Sequence, residues 1–313
     1  MRYIIGVDLG GTQLRAGLVD ASGVIVAEER TQTQAHDGPE AIIDKIVAGV
    51  TKVRTALPID GELLGVGIGA PGPLNPFEGI IYMMPNLPGW QHLPLRDVLE
   101  QRIGLPIELG KDTNAAVLGE WLFGAGKGTR NLVYVTISTG IGGGVICDGR
   151  LLLGHRGIAT EVGFHIIDPH TLNYWEDVAA GPALAVAASE AMTAEQRSLL
   201  HELATPETVT AAHVSQAAAA GDTLALRLLD HEGELIGLGL VSMLHLYGPE
   251  LVLLGGGVVV HNPQLIVRAK QVINERALPV YRDIPIQLAA LGDRAGLVGA
   301  GALFLYTRGL VSP

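Results

Sequence analysis

The chain has one cysteine in 313 residues, Cys147, so it cannot form an internal disulfide. That suits a reducing compartment, and its place in an apolar run predicts a buried small hydrophobe rather than a nucleophile. No uncharged apolar stretch approaches the ~20 residues needed to cross a bilayer. Met1-Arg2 leads straight into an apolar run ending at Asp8, which is not the pattern of a signal peptide. A cytoplasmic protein without a membrane partner is expected. Basic residues are in deficit, with 21 Lys and Arg against 32 Asp and Glu and a net charge of −11. No cationic excess exists to displace counterions from a phosphate backbone, so no nucleic-acid partner is expected. A Walker A sequence is missing, as is a GxGxxG after the first apolar run; this excludes the P-loop and nicotinamide-dinucleotide classes. What is present is 48% apolar and 17% charged residues, the composition of a compact globular protein with length for two domains.

The stretch Tyr3 to Asp20 organises the reading. An apolar run ends in Asp8, passes through Gly10-Gly11-Thr12 and resumes as Leu14 to Val19, the pattern of a hairpin with a Gly-rich turn. Glycines that tolerate positive φ leave backbone N–H groups bare enough to close on an anion. Asp8 then sits where a hydrated Mg²⁺ would be if that anion were a nucleotide phosphate, with Thr12 and Arg15 adding a hydroxyl and a positive charge. A structural hairpin with a solvated Asp accounts for the first copy equally well. A second copy, Val133 to Gly149, repeats the design around Ser138-Thr139-Gly140 and Gly142 to Gly144. Laying 7–12 on 135–140 keeps strands and turn in register, and two related hairpins in one chain suggest two related domains.

Between and after the hairpins, residues 24–30 read as a strand. Asp37 is a candidate cap for a helix from Pro39 to about Ala56, with Ile42, Ile43, Ile46, Val50 and Val53 at helical spacing. Residues 63–69 read as a buried strand ending in a loop with Pro71 and Gly72, at the strand end where open α/β sheets place ligands. Residues 83–95 carry three prolines and read as a loop. A strand over 106–109 leads to Asp112, and 113–123 reads as helix. Asp112 admits two readings, a helix N-cap and a catalytic base. Helices are expected over 178–192, 210–220, 223–247, 262–278 and 295–306, with strands over 251–254 and 284–288.

Six segments occur in order over nearly the whole length: Asp8 to Thr12, Gly69 to Pro73, Pro85 to Trp90, Asp112 to Ala116, Ser138 to Gly144 and Leu254 to Gly257. On these motifs the chain resembles the ROK family of sugar kinases and repressors, most of all its glucokinases. The resemblance implies an α/β, actin-like (ribonuclease H-like) two-domain fold with a cleft between the domains. It divides the chain into residues 1–115 plus about 294–313, and residues 116–293. It implies ATP- and Mg²⁺-dependent phosphorylation of a hexose, glucose first, with Asp112 as base. Gly72, Asn86, Lys111, Asp112, Glu161, His165 and Glu176 would contact the sugar. Asp8, Gly10, Gly11, Thr12, Arg15, Thr139, Gly140, Gly255, Gly256 and Gly257 would hold the nucleotide, Asp8 through metal-bound water. A homodimer or homotetramer is implied as well. The family's repressors carry a helix-turn-helix ahead of this part, and a hairpin starting at Tyr3 leaves no room for one.

Three departures from the family pattern matter. The family's usual zinc ligands are a His, here Phe164, and three Cys, all missing; a structural zinc needs about four N or S ligands, so none is expected. His165, Asp168 and His170 offer a replacement site, against a solvated loop packed by Tyr174 and Trp175. His165 is also placed to substitute for the lost sugar contact. The family's Asn before the catalytic Asp is Lys111, which donates but cannot accept. The alternatives are therefore a kinase for another hexose or N-acetylhexosamine, a polyphosphate-using glucokinase, and a catalytically silent sugar sensor.

Overall fold

The computed structural model describes residues 1–84, 87–195 and 197–311. The chain divides into two compact units, Met1–Arg130 with Gly144–Thr160 and Ala290–Pro313, and Asn131–Gly143 with Glu161–Ala289.

In the first unit β1 (Arg2–Leu9), β2 (Gln13–Asp20) and β3 (Ile25–Gln32) form an antiparallel meander, followed by α1 (Gly38–Arg54) and β4 (Glu62–Ala70). A small sheet of β5 (Leu74–Asn75), β6 (Ile80–Met83) and β7 (Gln91–Leu93) precedes α2 (Leu95–Ile103), β8 (Ile107–Lys111) and α3 (Asp112–Phe123). The main sheet runs β3-β2-β1-β4-β8, with β1, β4 and β8 parallel. Strands covered on both faces read as continuous apolar runs, which explains Tyr3 to Val7. The edge strand β3 is half exposed and carries Glu28, Glu29 and Arg30, charges that discourage edge-to-edge pairing.

Two expectations are corrected in this unit. Residues 83–95 are not one loop, because β7 pairs with β6 there; Pro85 and Asn86 lie outside the described residues. Asp37 does not cap α1. It has helical dihedrals and no capping bond, and its carboxylate instead pairs with Lys45 Nζ at 2.9 Å.

In the second unit β9 (Leu132–Ile137) and β10 (Ile141–Cys147) form the second hairpin. Beyond Gly143, β10 continues into the first unit, where Ile146 and Cys147 pair with β11 (Arg150–Leu151). Cys147 is exposed, contrary to the buried position expected; it closes the strand beside the Asp148-Gly149 turn, past the last covered residue. Then come α4 (Trp175–Ala179), α5 (Gly181–Ala194), α6 (Leu200–Leu203), α7 (Ala211–Ala219), α8 (Thr223–Tyr247), β12 (Leu251–Gly255), α9 (Gly257–His261), α10 (Gln264–Arg276) and β13 (Ile286–Leu288). The strand order β10-β9-β12-β13 repeats the plan of a hairpin extended by parallel strands. The helix expected over 178–192 is broken at Ala180, which is extended, and Gly181-Pro182 restarts it, Pro being favoured in a first turn.

The long helix α8 is capped by Asp222, whose carboxylate accepts the Ala225 N–H at 2.8 Å, and ends at Gly248 in left-handed geometry. Its buried stripe includes Ala225, Leu229, Glu232, Ile236, Leu240 and Met243, so a carboxyl group occupies an apolar position. Burial pushes Glu232 up to about 8. The unfolded chain gives up this proton near the ordinary glutamate value, the folded chain only near 8, so the folded state binds more protons in between. Stability from this group is therefore full below that ordinary value and is lost as pH rises towards 8. Glu232→Gln should raise the melting temperature more at pH 8.5 than at pH 5; an equal change at both would contradict the burial argument.

The last helix, α11 (Ala295–Thr307), packs on α3, β1, β4 and β8 of the first unit. Backbone meets backbone there. A Cβ on Gly67 would fall 1.8 Å from the Ala300 carbonyl oxygen, and one on Gly299 would fall 2.3 Å from that of Ala115. A larger residue at Gly67 would pry the helix off the sheet, and one at Gly299 would pry it off α3.

Candidate active site

Strand register brings two carboxylates of the first unit to the carboxyl end of its parallel strands. Asp8 lies beside Gly69, and Gly69 beside Gly110, so Asp8 and the end of β8 are two strand spacings apart, about 10 Å. Asp112 follows two residues later as the first residue of α3, half-buried. The N-cap position belongs to Lys111. The Asp112 carboxylate accepts the adjacent Thr113 N–H at 2.7 Å.

Asp8 Oδ2 accepts from Arg15 Nη2 at 2.7 Å and Nε at 3.2 Å. Arg15 also donates to the Asp293 carbonyl at 2.7 Å and pairs with its carboxylate at 3.1 Å. Burial opposes the guanidinium charge, but Asp8, then Asp293 and Glu28, more than restore it, so the Arg15 pKa lies above its ordinary value. Gly296, in the first turn of α11, leaves room for this pair, since a Cβ there would fall 2.4 Å from Asp8 Oδ2. The Asp8 carboxylate is a hard oxygen ligand of the kind that fits Mg²⁺.

The β1–β2 turn is tied from below: Gly10 N–H donates to the Gln13 carbonyl at 2.9 Å, and Thr33 bonds the carbonyls of Gly10 (2.7 Å) and Thr12 (2.9 Å). Gly10 is needed for close approach rather than for positive φ, because a Cβ would sit 2.9 Å from Gln13 O. Gly11 and Gly72 are half-buried and Thr12 is exposed. Asn86 lies outside the described residues. Lys111 is 6% exposed, and its Nζ donates to the Thr160 carbonyl at 3.1 Å.

In the second unit Thr136 lies beside Gly255, the counterpart of Asp8 beside Gly69, so the register of the two hairpins extends to the neighbouring parallel strand. Thr139 is exposed and Gly140 half-buried at the turn. Glu176, in the first turn of α4, accepts the Ile141 N–H at 3.2 Å, and Gly140 and Gly163 each leave space for its Oε2, where a Cβ would come within 3.0 Å. Alignment with the family motif found Glu176; its bond to the hairpin had no signal in the sequence. Glu161 is exposed at the start of a single 3-10 turn, Val162–Phe164. Phe164 points outward, edge-on to Tyr174 with centroids 5.5 Å apart. His165 turns inward against Trp175, with centroids 5.2 Å apart. Its Nδ1 is 2.6 Å from the Val162 carbonyl, so it carries the proton, and its Nε2 is a buried acceptor without a partner.

Asp168 holds its own loop together, accepting from the His170 N–H (2.8 Å) and the Thr171 hydroxyl (2.9 Å). The His170 bond, then that of Thr171, draws its pKa below the ordinary carboxylate value. Among the described residues no three His, Cys, Asp or Glu side chains are grouped to hold a metal.

Gly256 has φ 87°, and a Cβ there would fall 2.2 Å from the Ile137 carbonyl oxygen. Gly257 then opens α9, a helix the Val258 to Val260 run does not announce. Beside it lies a cavity of about 820 Å³ with mostly apolar walls, lined by residues that include Thr139, Gly181, Ala211, Ser215, Gly257 and Val258. It adjoins the hairpin turn, and Gly181 N–H ties α5 to the Ser138 carbonyl at 2.7 Å. An adenosine-sized group with its phosphates towards Thr139 fits this arrangement. Gly181, Ala211 and Ser215 were not singled out from the sequence as nucleotide contacts. Only the Gly-Pro helix start could have pointed there.

The model of the ROK family matches residues 4–307. A glucokinase of Streptomyces coelicolor is 35% identical over 319 residues, covering 97% of this chain and 98% of its own. A glucokinase of Thermotoga maritima is 34% identical over 310 residues, covering 96% of both chains. The solved structure of a ROK family glucokinase from Streptomyces griseus, in complex with glucose and AMPPNP, superposes with a TM-score of 0.84 at 32% identity, covering 96% of this chain and 98% of that one.

Proposed function

Since the chain belongs to the ROK family, we propose that it transfers the γ-phosphoryl group of ATP to a hexose, glucose first, with Asp112 as the base. The enzyme is a sugar kinase of the actin-like two-domain fold. The observation that supports the residue roles is the register that sets Asp8 and the end of β8, just before Asp112, at the carboxyl end of the parallel strands, two strands apart. Phosphoryl transfer is mostly positioning and charge stabilisation. Asp112 takes the proton of the attacking hydroxyl as its oxygen bonds the γ-phosphorus; the bond to the β–γ bridging oxygen breaks, and ADP leaves with that electron pair. Asp8 would hold a Mg²⁺ ion, through water, and that ion would supply neutralising charge on the phosphates. Arg15 acts through Asp8, keeping its carboxylate oriented. Gly10, Gly11, Thr12, Thr139 and Gly140 receive the phosphates, and the cavity beside Gly255, Gly256 and Gly257 takes the adenosine.

Gly72, Asn86, Lys111, Glu161, His165 and Glu176 make up the sugar contacts, with His165 Nε2 as an acceptor for a hydroxyl. The test is ADP release with a panel of glucose, mannose, fructose, N-acetylglucosamine and N-acetylmannosamine, with ATP and with polyphosphate. Fastest turnover with glucose and ATP is expected. Sugar binding without ADP release would replace the kinase by a sensor.

Lys111→Asn exchanges a donor-only group for one that also accepts, and should change the ratio of kcat/KM between two panel sugars by about 10-fold or more. An unchanged ratio would remove Lys111 from the sugar contacts. After chelation by EDTA, activity should return with Mg²⁺ alone. A need for added Zn²⁺ would show that the missing cysteines have been replaced by other ligands.

A further inference from the structure

A second cavity of the same unit, about 930 Å³, opens between α4, α5 and α8, and Glu232 is among its lining residues. Glu232 is 3% exposed, and its Oε1 has no hydrogen-bond partner. Among the described residues no cation pairs with it. Arg268 of α10, the guanidinium packed on that part of α8, is shared between Asp230 (3.4 Å) and Glu234 (3.3 Å). The other charged or titratable groups around the cavity are Glu190 on α5, Glu176 and Asp177 on α4, Asp168 before α4, and His231 beside Glu232 on α8. All but His231 are acidic. A buried carboxyl without a partner is costly, and an apolar residue on the same stripe would cost nothing.

We propose that this cavity binds a small organic cation with an apolar body, its ammonium or guanidinium group pairing with Glu232. Charge and shape both select this class. The carboxylates of Asp168, Asp177 and Glu190 attract a cation. The walls between them are apolar, from Ala183, Val186, Leu228 and Leu235, and reward a hydrocarbon body. The described residues offer no ligand cluster for a bare metal ion. Because burial keeps the Glu232 proton on at neutral pH, binding releases it to solvent as the carboxylate pairs with the incoming cation.

The test uses benzylammonium and its neutral counterpart benzyl alcohol on the full chain, by calorimetry at pH 7 in two buffers of different ionisation enthalpy. Benzylammonium is expected to bind with proton release approaching one per site. Benzyl alcohol should bind at least ~10-fold more weakly, and Glu232→Gln should weaken benzylammonium by at least ~10-fold and abolish the proton release. A Glu232→Leu variant, which fills the stripe with an apolar group, checks that any loss is not a failure to fold. No benzylammonium binding up to about 20 mM, far weaker than any useful site, overturns the proposal, as does equal affinity for the alcohol or an unchanged Glu232→Gln. A dimer held together across this cavity that excludes the amine also overturns it, by giving the cavity to a second copy of the chain.

Discussion

Asp112→Asn is expected to lower kcat by at least ~10²-fold while the protein stays folded, the loss that accompanies removal of a general base. The substitution is nearly isosteric, and its side-chain oxygen can still accept the Thr113 N–H now bound at 2.7 Å. The start of α3 therefore keeps its local geometry, and the N-cap position, Lys111, is untouched. What disappears is the carboxylate proposed to take the hydroxyl proton. Steady-state kinetics on the preferred sugar, with a melting curve as control, separates the outcomes. A variant that melts with the wild type and retains more than a tenth of its turnover would show that the proton goes elsewhere.

The largest stability loss should come from Glu120→Ala. Glu120 is fully buried in α3, and its carboxylate accepts three backbone N–H groups, from Leu291 at 2.7 Å, Ala125 at 3.0 Å and Ala290 at 3.1 Å. The loop after α3 wraps tightly around it: a Cβ on Gly124 would come 2.1 Å from Oε2. Truncation strands three buried donors, each at roughly 1–3 kcal/mol, for a total of ~3 kcal/mol or more. That is a large part of the ~5–15 kcal/mol that ordinarily keeps a domain folded. Glu120→Gln separates hydrogen bonding from packing. It fills the same volume, but where Ala125 and Ala290 both donate to one oxygen, an amide NH₂ in that place would oppose donor to donor. Urea denaturation should show both variants destabilised. A Gln variant within ~0.5 kcal/mol of wild type would mean that water, not the carboxylate, satisfies those N–H groups.

Much of this architecture was legible because its determinants are local. Apolar runs stopped by glycine turns marked both hairpins, and their alignment held into the third strand, where Gly69 and Gly255 occupy matching positions. Helices with a regular apolar stripe, such as α1 and α8, were found within a few residues of their ends. The break at Ala180 had a local signal in Gly181-Pro182 that the alanines around it masked. Features decided by tertiary contact were not legible: the Val258 to Val260 run, with high strand propensity, is helical after Gly256. In the candidate site, Asp8 and Asp112 could be picked out by position at strand ends. Arg15 faces Asp8 across the first hairpin, but its pairing with Asp293 joins residues far apart in sequence, and the cavity beside Gly257 is walled by alanines that carry no chemical signal.

The first unit takes its main sheet from the beginning of the chain and α11 from its far end, and the glycine contacts of Gly67 and Gly299 admit no looser fit. During synthesis, then, the ribosome must deliver residue 307 before β1, β4 and α3 can be covered. Until that moment an apolar face stays open on the nascent chain, long after its strands have emerged, and it is there that a chaperone would have most to do.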